Sequence, residues 1–415
     1  MTVAASELGA RVEELAGMDR VLPALASLPP AYLVGGAVRD LLLGAGEVDL
    51  DLAVEGDALA AGRELARRLG GEVEDHERFG TASVRAGDLR LDLATARRER
   101  YRHPGELPEV EPAPIAEDLG RRDFSVNAMA IALADAERGR LLDPHGGHAD
   151  VEVATIRVLH RHSFFDDPTR ILRGIRLEAR LGFTFDPETE ALARAAVGAR
   201  AFDTVSRYRL GHELMLLLDE GRRREALVRL VDLRAAGALD AALLDVDVEA
   251  AAAAGRAAEV TGADPALASL AGLLAAPPHE LERFVTALRL DAEARGRVLR
   301  AAHSAPALAT ELRADAAPSE LHRLLHGEPP EALALAVAVG APPEAVSRYL
   351  DGVADVALEI GGDDLVAAGV EPSAAIGRAL EETLRRKLDG RVAGREEELR
   401  CALGLARGED GGAAR

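Results

Sequence analysis

Two carboxylates one residue apart, Asp49 and Asp51, follow closely behind a glycine turn, Gly35-Gly36. In Val48-Asp49-Leu50-Asp51-Leu52-Ala53-Val54 the apolar residues 48, 50, 52 and 54 share one parity, the period-two signature of a strand with one buried face. Asp49 and Asp51 are therefore expected on the other face, roughly 7 Å apart. At that separation the two charges repel, and a divalent cation such as Mg2+ relieves the repulsion; the pair can hold one ion or bridge two. Upstream, Tyr32-Leu33-Val34 reads as a strand, Gly35-Gly36 as a turn and Val38–Leu43 as a helix stopped by Gly44. Free backbone N–H groups at such a helix start, with Arg39 in the first turn, suit the oxygens of a triphosphate. Neither motif identifies an activity alone, because D-x-D is common and a glycine pair also makes an ordinary tight turn.

Two later strips carry chemistry of the same kind. Arg121-Arg122-Asp123 opens an expected helix from Phe124 to Leu133, with Asp123 as N-cap and arginines suited to phosphate; Asn127 lies one turn in. Asp166-Asp167-Pro168-Thr169-Arg170 begins another helix, Asp167 at the N-cap and Pro168 at the first helical position. Arg170, Arg173 and Arg176 are three apart, so they form one ridge beside Asp167. A carboxylate beside a guanidinium offers acceptors and donors at fixed spacing, which is what reading the Watson–Crick edge of a base requires. The same residues also serve a purely structural end, a capped helix with a solvated arginine face. Leu89–Leu93 alternates as well and puts Asp92 on a polar face, either as a third acid near the cation or as a solvated strand residue.

These residues need elements to hold them, and the chain has two regimes. Up to residue 158, strands at 32–34, 48–54, 81–85, 89–94 and 155–158 alternate with helices such as 58–69 and 124–133, predicting one α/β domain. The charged, proline-containing segment 97–114 reads as a long loop. Beyond about residue 160 the chain is predicted helical almost throughout. The 415 residues, 48% hydrophobic and 29% charged, are enough for two to four domains. A net charge of −21 argues against a nucleic-acid partner, yet from Arg157 to Phe183 six arginines face three acids. Such a chain would confine RNA to its basic stripes. Its one cysteine, Cys401, excludes an intrachain disulfide and suits a reducing cytoplasm. The N-terminus reads as an amphipathic helix rather than a signal peptide, and the apolar run 332–341 is about half the roughly 20 residues of a membrane span.

Taken in order, G-G-x-V-R-D, D-x-D, R-R-D-x-x-x-N-A, D-P-x-x-G (Asp143–Gly147) and [DE]-D-P-x-R-x-x-R-x-x-R resemble the class II tRNA nucleotidyltransferase and bacterial poly(A) polymerase family, from about Tyr32 to Asp219. The resemblance implies an α+β polymerase-β-like head (residues 1–158), then an all-α neck (159–219), body (220–300) and body/tail (301–415). It implies that Asp49 and Asp51 bind two Mg2+ ions for attack of an RNA 3′-hydroxyl on the α-phosphate of CTP or ATP. Gly35, Gly36 and Arg39 would hold the nucleotide, with Arg122 and Asn127 in support. Asp167 and Arg170 would act as a protein template accepting C or A, with Arg173 and Arg176 on phosphate, and the helical segments would hold the tRNA acceptor end. Activities with this active site are full CCA addition, addition of CC or of A alone, and poly(A) synthesis; the length of segment 97–114 fits switching from C to A. A catalytically silent RNA-binding protein on the same scaffold is the alternative of another class. Two positions depart from the family pattern: Asp166 stands where Glu is usual, and Tyr208 where the neck motif has Glu. The remaining neck residues, Arg209 and Glu213, are spaced to brace their own helix as an ion pair.

Overall fold

The computed structural model describes residues 4–46, 48–77, 80–274 and 278–408. The chain divides into two compact units, Met1–Ala241 and Ala242–Arg415. Among the described residues of the first there are eleven strands: β1 (Ala31–Val34), β2 (Leu50–Val54), β3 (Glu72–His76), β4 (Thr81–Ala86), β5 (Leu89–Thr95), β6 (Arg97–Arg100), β7 (Glu109–Pro112), β8 (Ala130–Ala132), β9 (Leu141–Leu142) and a separate parallel pair, β10 (Thr155–Ile156) and β11 (Thr184–Phe185). Seven of them form one sheet in the order β3-β4-β5-β2-β1-β8-β9, and β6 and β7 make a separate antiparallel hairpin. Within the sheet only β2 and β5 run parallel. A parallel pair needs a crossover, supplied here by the Ala58–Leu69 helix, which is N-capped by Asp57, and by β3 and β4. The fold is α+β, with the sheet in the first unit and helices elsewhere, as the two regimes predict.

Three local expectations change. The strand carrying the acids begins at Leu50, not Val48, so Asp49 precedes it and the Asp51 N–H donates to Asp49 O at 3.0 Å. Residues 124–133 are not a helix: a single 3-10 turn at Ser125–Asn127 leads into β8, whose three residues are buried and pair with β1. Alanine favours helix by only about 0.5 kcal/mol per residue over the alternatives, and that preference loses to a buried backbone segment whose N–H and C=O groups can be satisfied by β1. Finally, segment 97–114 contains the β6–β7 hairpin. Two of its four cross-strand pairs join opposite charges, Arg98 opposite Glu111 and Arg100 opposite Glu109, so it carries little hydrophobic period to read.

The Thr169–Leu181 helix follows the sheet and packs against the Arg207–Asp219 and Arg223–Asp232 helices. Its start is one residue later than expected, with Pro168 in the cap position and the Asp167 carboxylate accepting the Thr169 N–H at 3.1 Å. Beneath it Phe124, Phe164 and Phe185 meet with ring centroids 6.1–6.4 Å apart, an aromatic floor tying the helix to the sheet.

The second unit is helical. The Val248–Thr261, Pro265–Leu273, Ala292–Glu311 and Pro330–Ala338 helices pack together, and the Gly362–Ala367, Ala374–Leu388 and Gly394–Arg407 helices enclose a smaller core around Leu365, Ile376 and Ala402. Glu398 is fully buried there and accepts from Lys387, the one lysine of the chain, at 2.6 Å. Lys387→Ala would leave Glu398 Oε1 without its cation while Oε2 keeps the Glu359 N–H at 2.7 Å, so urea denaturation is expected to show a loss of about 2–3 kcal/mol; a loss under 0.5 kcal/mol would mean that water already solvates Glu398. Among the described residues no helix is long and apolar enough to cross a membrane.

Candidate active site

Gly35 ends β1 at φ 68°, a left-handed conformation that glycine adopts without strain, and a Cβ there would meet Arg122 Nη1 at 2.7 Å. The chain can therefore turn into the Gly36–Leu42 helix with a guanidinium pressed against the turn. Arg39, 5% exposed, is held on two sides: Nη1 donates to Asn127 Oδ1 at 2.6 Å, and Nε and Nη2 to the Asp40 carboxylate at 2.8 and 3.0 Å. Asn127 in turn donates to Asp123 Oδ1 at 3.1 Å. Arg122 is anchored at 2.9 Å by Asp118, which also binds Arg121; burial raises the Asp118 pKa, but the two arginines outweigh it and leave the carboxyl below its ordinary range. The motif residues thus form a braced frame of arginines around the glycine turn.

The Thr169–Leu181 helix makes the facing wall. Arg170, 5% exposed, donates to Ser163 Oγ and to Arg121 O, both at 2.7 Å. Asp167 accepts from Thr169 Oγ1 at 2.7 Å and, through its other oxygen, from Arg209 Nη2 at 2.7 Å. Arg173 pairs with Asp123 at 2.8 Å, and Arg176 with Glu213 at 2.9 Å and Glu220 at 3.2 Å. The expected Arg209–Glu213 brace within one helix is therefore replaced by two longer-range partnerships, Arg209 with Asp167 and Glu213 with the arginine ridge. Sharing a helix face, the two residues could have paired with each other, but each meets a partner of opposite charge on another segment instead.

Two adjoining cavities expose these groups. One, of about 290 Å³, is bordered by Gly36, Arg39, Asp49, Asp51, Asn127, Arg173, Arg176 and Arg180 among others. The other, of about 380 Å³, is bordered by Gly35, Gly36, Asp51, Arg122, Asn127, Asp167, Arg170 and Arg173, together with Glu99, Tyr101, Arg121 and Asp123. The eleven residues that the resemblance assigns to metal and nucleotide each border one or both, whereas Asp92 borders neither and lies with Asp49 and Asp51 on a third cavity of about 700 Å³. Arg180, which a ridge continued by four residues would have found, and Glu99 and Tyr101, hidden in a segment read as loop, are additions.

Asp51 faces the cleft with its surface open, yet enclosure by the cleft walls and the neighbouring carboxylates of Asp92 and Asp49 push its pKa up to about 6. Asp92 lies directly opposite Asp51 in the β2–β5 register, and its own carboxylate accepts from Ser83 Oγ and lies 3.5 Å from Arg90. Among the described residues no three carboxylate, imidazole or thiol groups converge into a closed metal cage, and the positive charges of Arg122 and Arg90 offset only part of the upward shift of Asp51. An open pair of mutually repelling acids fits Mg2+, which keeps several waters and is typically held by one or two carboxylates plus substrate phosphates. A raised carboxyl pKa makes the ionised form a cost to the fold, absent below about pH 4 and fully present above about pH 7. Asp51→Asn is therefore expected to stabilise the metal-free protein at pH 8, by about 1 kcal/mol or less because the cleft admits water, and not at pH 4. Thermal melts at the two pH values check this, and equal shifts at both would remove the repulsion from the account.

A mixed sheet that presents paired acids to an arginine-lined cleft is the architecture of a nucleotide-handling head domain, and residues 31–157 match the family model described as the Poly A polymerase head domain. The chain is 36% identical over 386 residues to the CC-adding tRNA nucleotidyltransferase of Deinococcus radiodurans, covering 90% of this chain and 89% of that protein. It therefore belongs to the tRNA nucleotidyltransferase family. It is 48% identical over 205 residues to the A-adding tRNA nucleotidyltransferase of Halalkalibacterium halodurans, a match to 49% of this chain. Against that and two further A-adding relatives, the chain spans 48, 24 and 45% of their own length. Its fold matches the Thermotoga maritima CCA-adding enzyme, solved in complex with tRNA, with a TM-score of 0.75 and 31% identity over 97% of this chain and 99% of that one.

Proposed function

We propose that this chain adds CCA to the 3′ end of tRNA from CTP and ATP, releasing pyrophosphate and using no nucleic-acid template. One observation carries the reading: Asp51, the Gly35-Gly36 turn, Arg122 and Asn127, and the Asp167–Arg170 pair, more than a hundred residues apart in sequence, border a single cavity. A phosphate-binding frame, one acid of the pair and a base-edge reader in one space, with the second acid, Asp49, on the adjoining cavity, are what template-free nucleotide transfer needs. The family relatives support the substrates, since related CCA-adding enzymes have been solved with ATP, with CTP and with tRNA.

Asp49 and Asp51 would hold Mg2+, which when bound supplies activation of the RNA 3′-hydroxyl and neutralisation of the triphosphate for in-line displacement. The chain's own residues do the rest. The Gly36 N–H with Arg39 and Arg122 holds phosphate oxygens, while the Gly35 N–H is committed to Met129 O at 3.2 Å and Gly35 serves the turn itself; Asn127 fixes the Arg39 fork. Asp167 presents an acceptor and Arg170 donors to the Watson–Crick edge, their positions set by Thr169, Arg209 and Ser163. Arg173, Arg176 and the added Arg180 orient phosphate. In this reading residues 1–158 are a catalytic head, 159–219 a base-selecting neck, and 220–300 and 301–415 a body and tail that hold the tRNA acceptor end, in the cytoplasm.

A second reading, addition of the terminal A alone, is supported by the 48% identity to an A-adding enzyme over 205 residues. The experiment for both incubates the pure protein and Mg2+ with tRNA lacking CCA, tRNA ending in CC, and unrelated RNA, each with CTP and ATP together, one or the other labelled. Extension of the first by three nucleotides supports CCA addition; extension of the second only, by one A, supports the A-adding reading. Long A tracts on unrelated RNA would make it a poly(A) polymerase, and no product on any RNA would make it a binding protein.

A further inference from the structure

A nucleobase held by its edge also has two faces, and the cleft walls described so far are charged. Tyr101 differs. It follows β6, and among the described residues lining the two cavities it is the single aromatic side chain. It borders the same cavity as Asp167, Arg170, Arg121 and Arg122. It is held in place: Tyr101 OH donates to Glu99 Oε2 at 3.1 Å, while Glu99 Oε1 accepts from Arg121 at 3.0 Å and from Arg97 at 3.2 Å. The segment beyond it is pinned as well. Gly105, at φ 73°, donates its N–H to Asp166 O at 3.1 Å and accepts from Arg209 Nη1 at 3.0 Å, the same guanidinium that holds Asp167. A Cβ at Gly105 would lie 2.2 Å from Thr204 Oγ1, so the close docking depends on glycine. Tyr101 thus sits on a segment fastened at one end to Arg121 and at the other to the residues flanking the base reader.

Resting on the nucleotide-transfer reading, we propose that Tyr101 is the stacking wall of the nucleotide pocket: its ring covers one face of the incoming base while Asp167 and Arg170 address its edge. Stacking is sequence-tolerant, because every base has a π-face, so Tyr101 supplies affinity for the nucleotide and the neck pair supplies the choice. Glu99 is a positioning residue that sets the ring through its hydroxyl.

The test measures binding of labelled ATP and CTP by equilibrium dialysis, without RNA, alongside KM values in the incorporation assay. Tyr101→Ala is expected to weaken ATP binding about tenfold or more, and CTP binding less because the pyrimidine ring is smaller, with the KM for tRNA within twofold. Tyr101→Phe, which keeps the ring and loses the hydroxyl, is expected to stay within about threefold of wild type. Unchanged nucleotide binding in Tyr101→Ala overturns the proposal, as does equal loss in the Ala and Phe variants, which would assign the effect to the Glu99 hydrogen bond. A rise confined to the KM for tRNA overturns it too. Failure of the wild type to extend any RNA, with Tyr101-dependent nucleotide binding intact, would sink nucleotide transfer and leave the stacking wall standing.

Discussion

Asp49→Ala is expected to slow nucleotide incorporation at least a thousandfold, about 4 kcal/mol of lost transition-state stabilisation, with nucleotide binding changed only a few-fold. The asymmetry follows from how the site is divided. The groups proposed to hold the triphosphate are arginines braced by Asp118, Asp40 and Asn127, none of which touches Asp49. Asp49 is exposed at the cleft edge, so its loss opens no cavity in the core and the variant is expected to melt with the wild type. Asp51→Asn should share the loss of rate while differing in the pH dependence of its stability. The decisive measurement is single-turnover addition of one labelled nucleotide to tRNA. A variant retaining more than a tenth of the wild-type rate would take Asp49 out of the chemistry.

Replacing Arg170 is expected to damage selection rather than rate alone. Its guanidinium is buried, with donors committed to Ser163 Oγ and Arg121 O and further N–H groups in hand for a base. Arg170→Ala leaves both acceptors unpaired, so a stability loss of about 2–3 kcal/mol is expected beside the functional one. Arg170→Lys is the sharper probe, because lysine keeps the charge and loses the planar fork. A bidentate contact to a base edge is worth about 1–3 kcal/mol of discrimination, so preference for CTP and ATP over GTP and UTP should fall roughly 5- to 150-fold in the lysine variant. Arg209→Ala, which frees Asp167 without touching the base reader's own groups, should relax selection to a lesser degree. Unaltered preference in Arg170→Lys would mean that the pair is structural, the capped-helix role its sequence equally allows.

The site was legible in the sequence to an unusual extent and the fold around it less so. Asp49, Asp51, Gly35, Arg39, Arg122, Asp167 and Arg170 could be singled out because their motifs follow one another in the order of a known family; each motif alone equally allows a plain strand face, tight turn or capped helix. The arginine ridge followed from helical spacing alone. By contrast β8 was read as helix and β6–β7 as loop, since three alanine-rich residues and a charged hairpin carry no period that distinguishes strand from helix or coil. Tyr101 and Glu99 were missed for the same reason.

What the sequence by itself determined is the inventory: which residues can carry acid, phosphate-binding and base-reading chemistry, in what order, and a change from mixed to helical structure near residue 160. What only the tertiary structure decided is their partnership. Arg209 meets Asp167 across 42 positions, Arg173 meets Asp123 across 50, and β8 meets β1 across nearly a hundred. Periodicity reports which way a side chain faces within its own element. An ion pair between two elements leaves no trace in either one's spacing, because charge attracts at whatever sequence separation the packed core brings into reach.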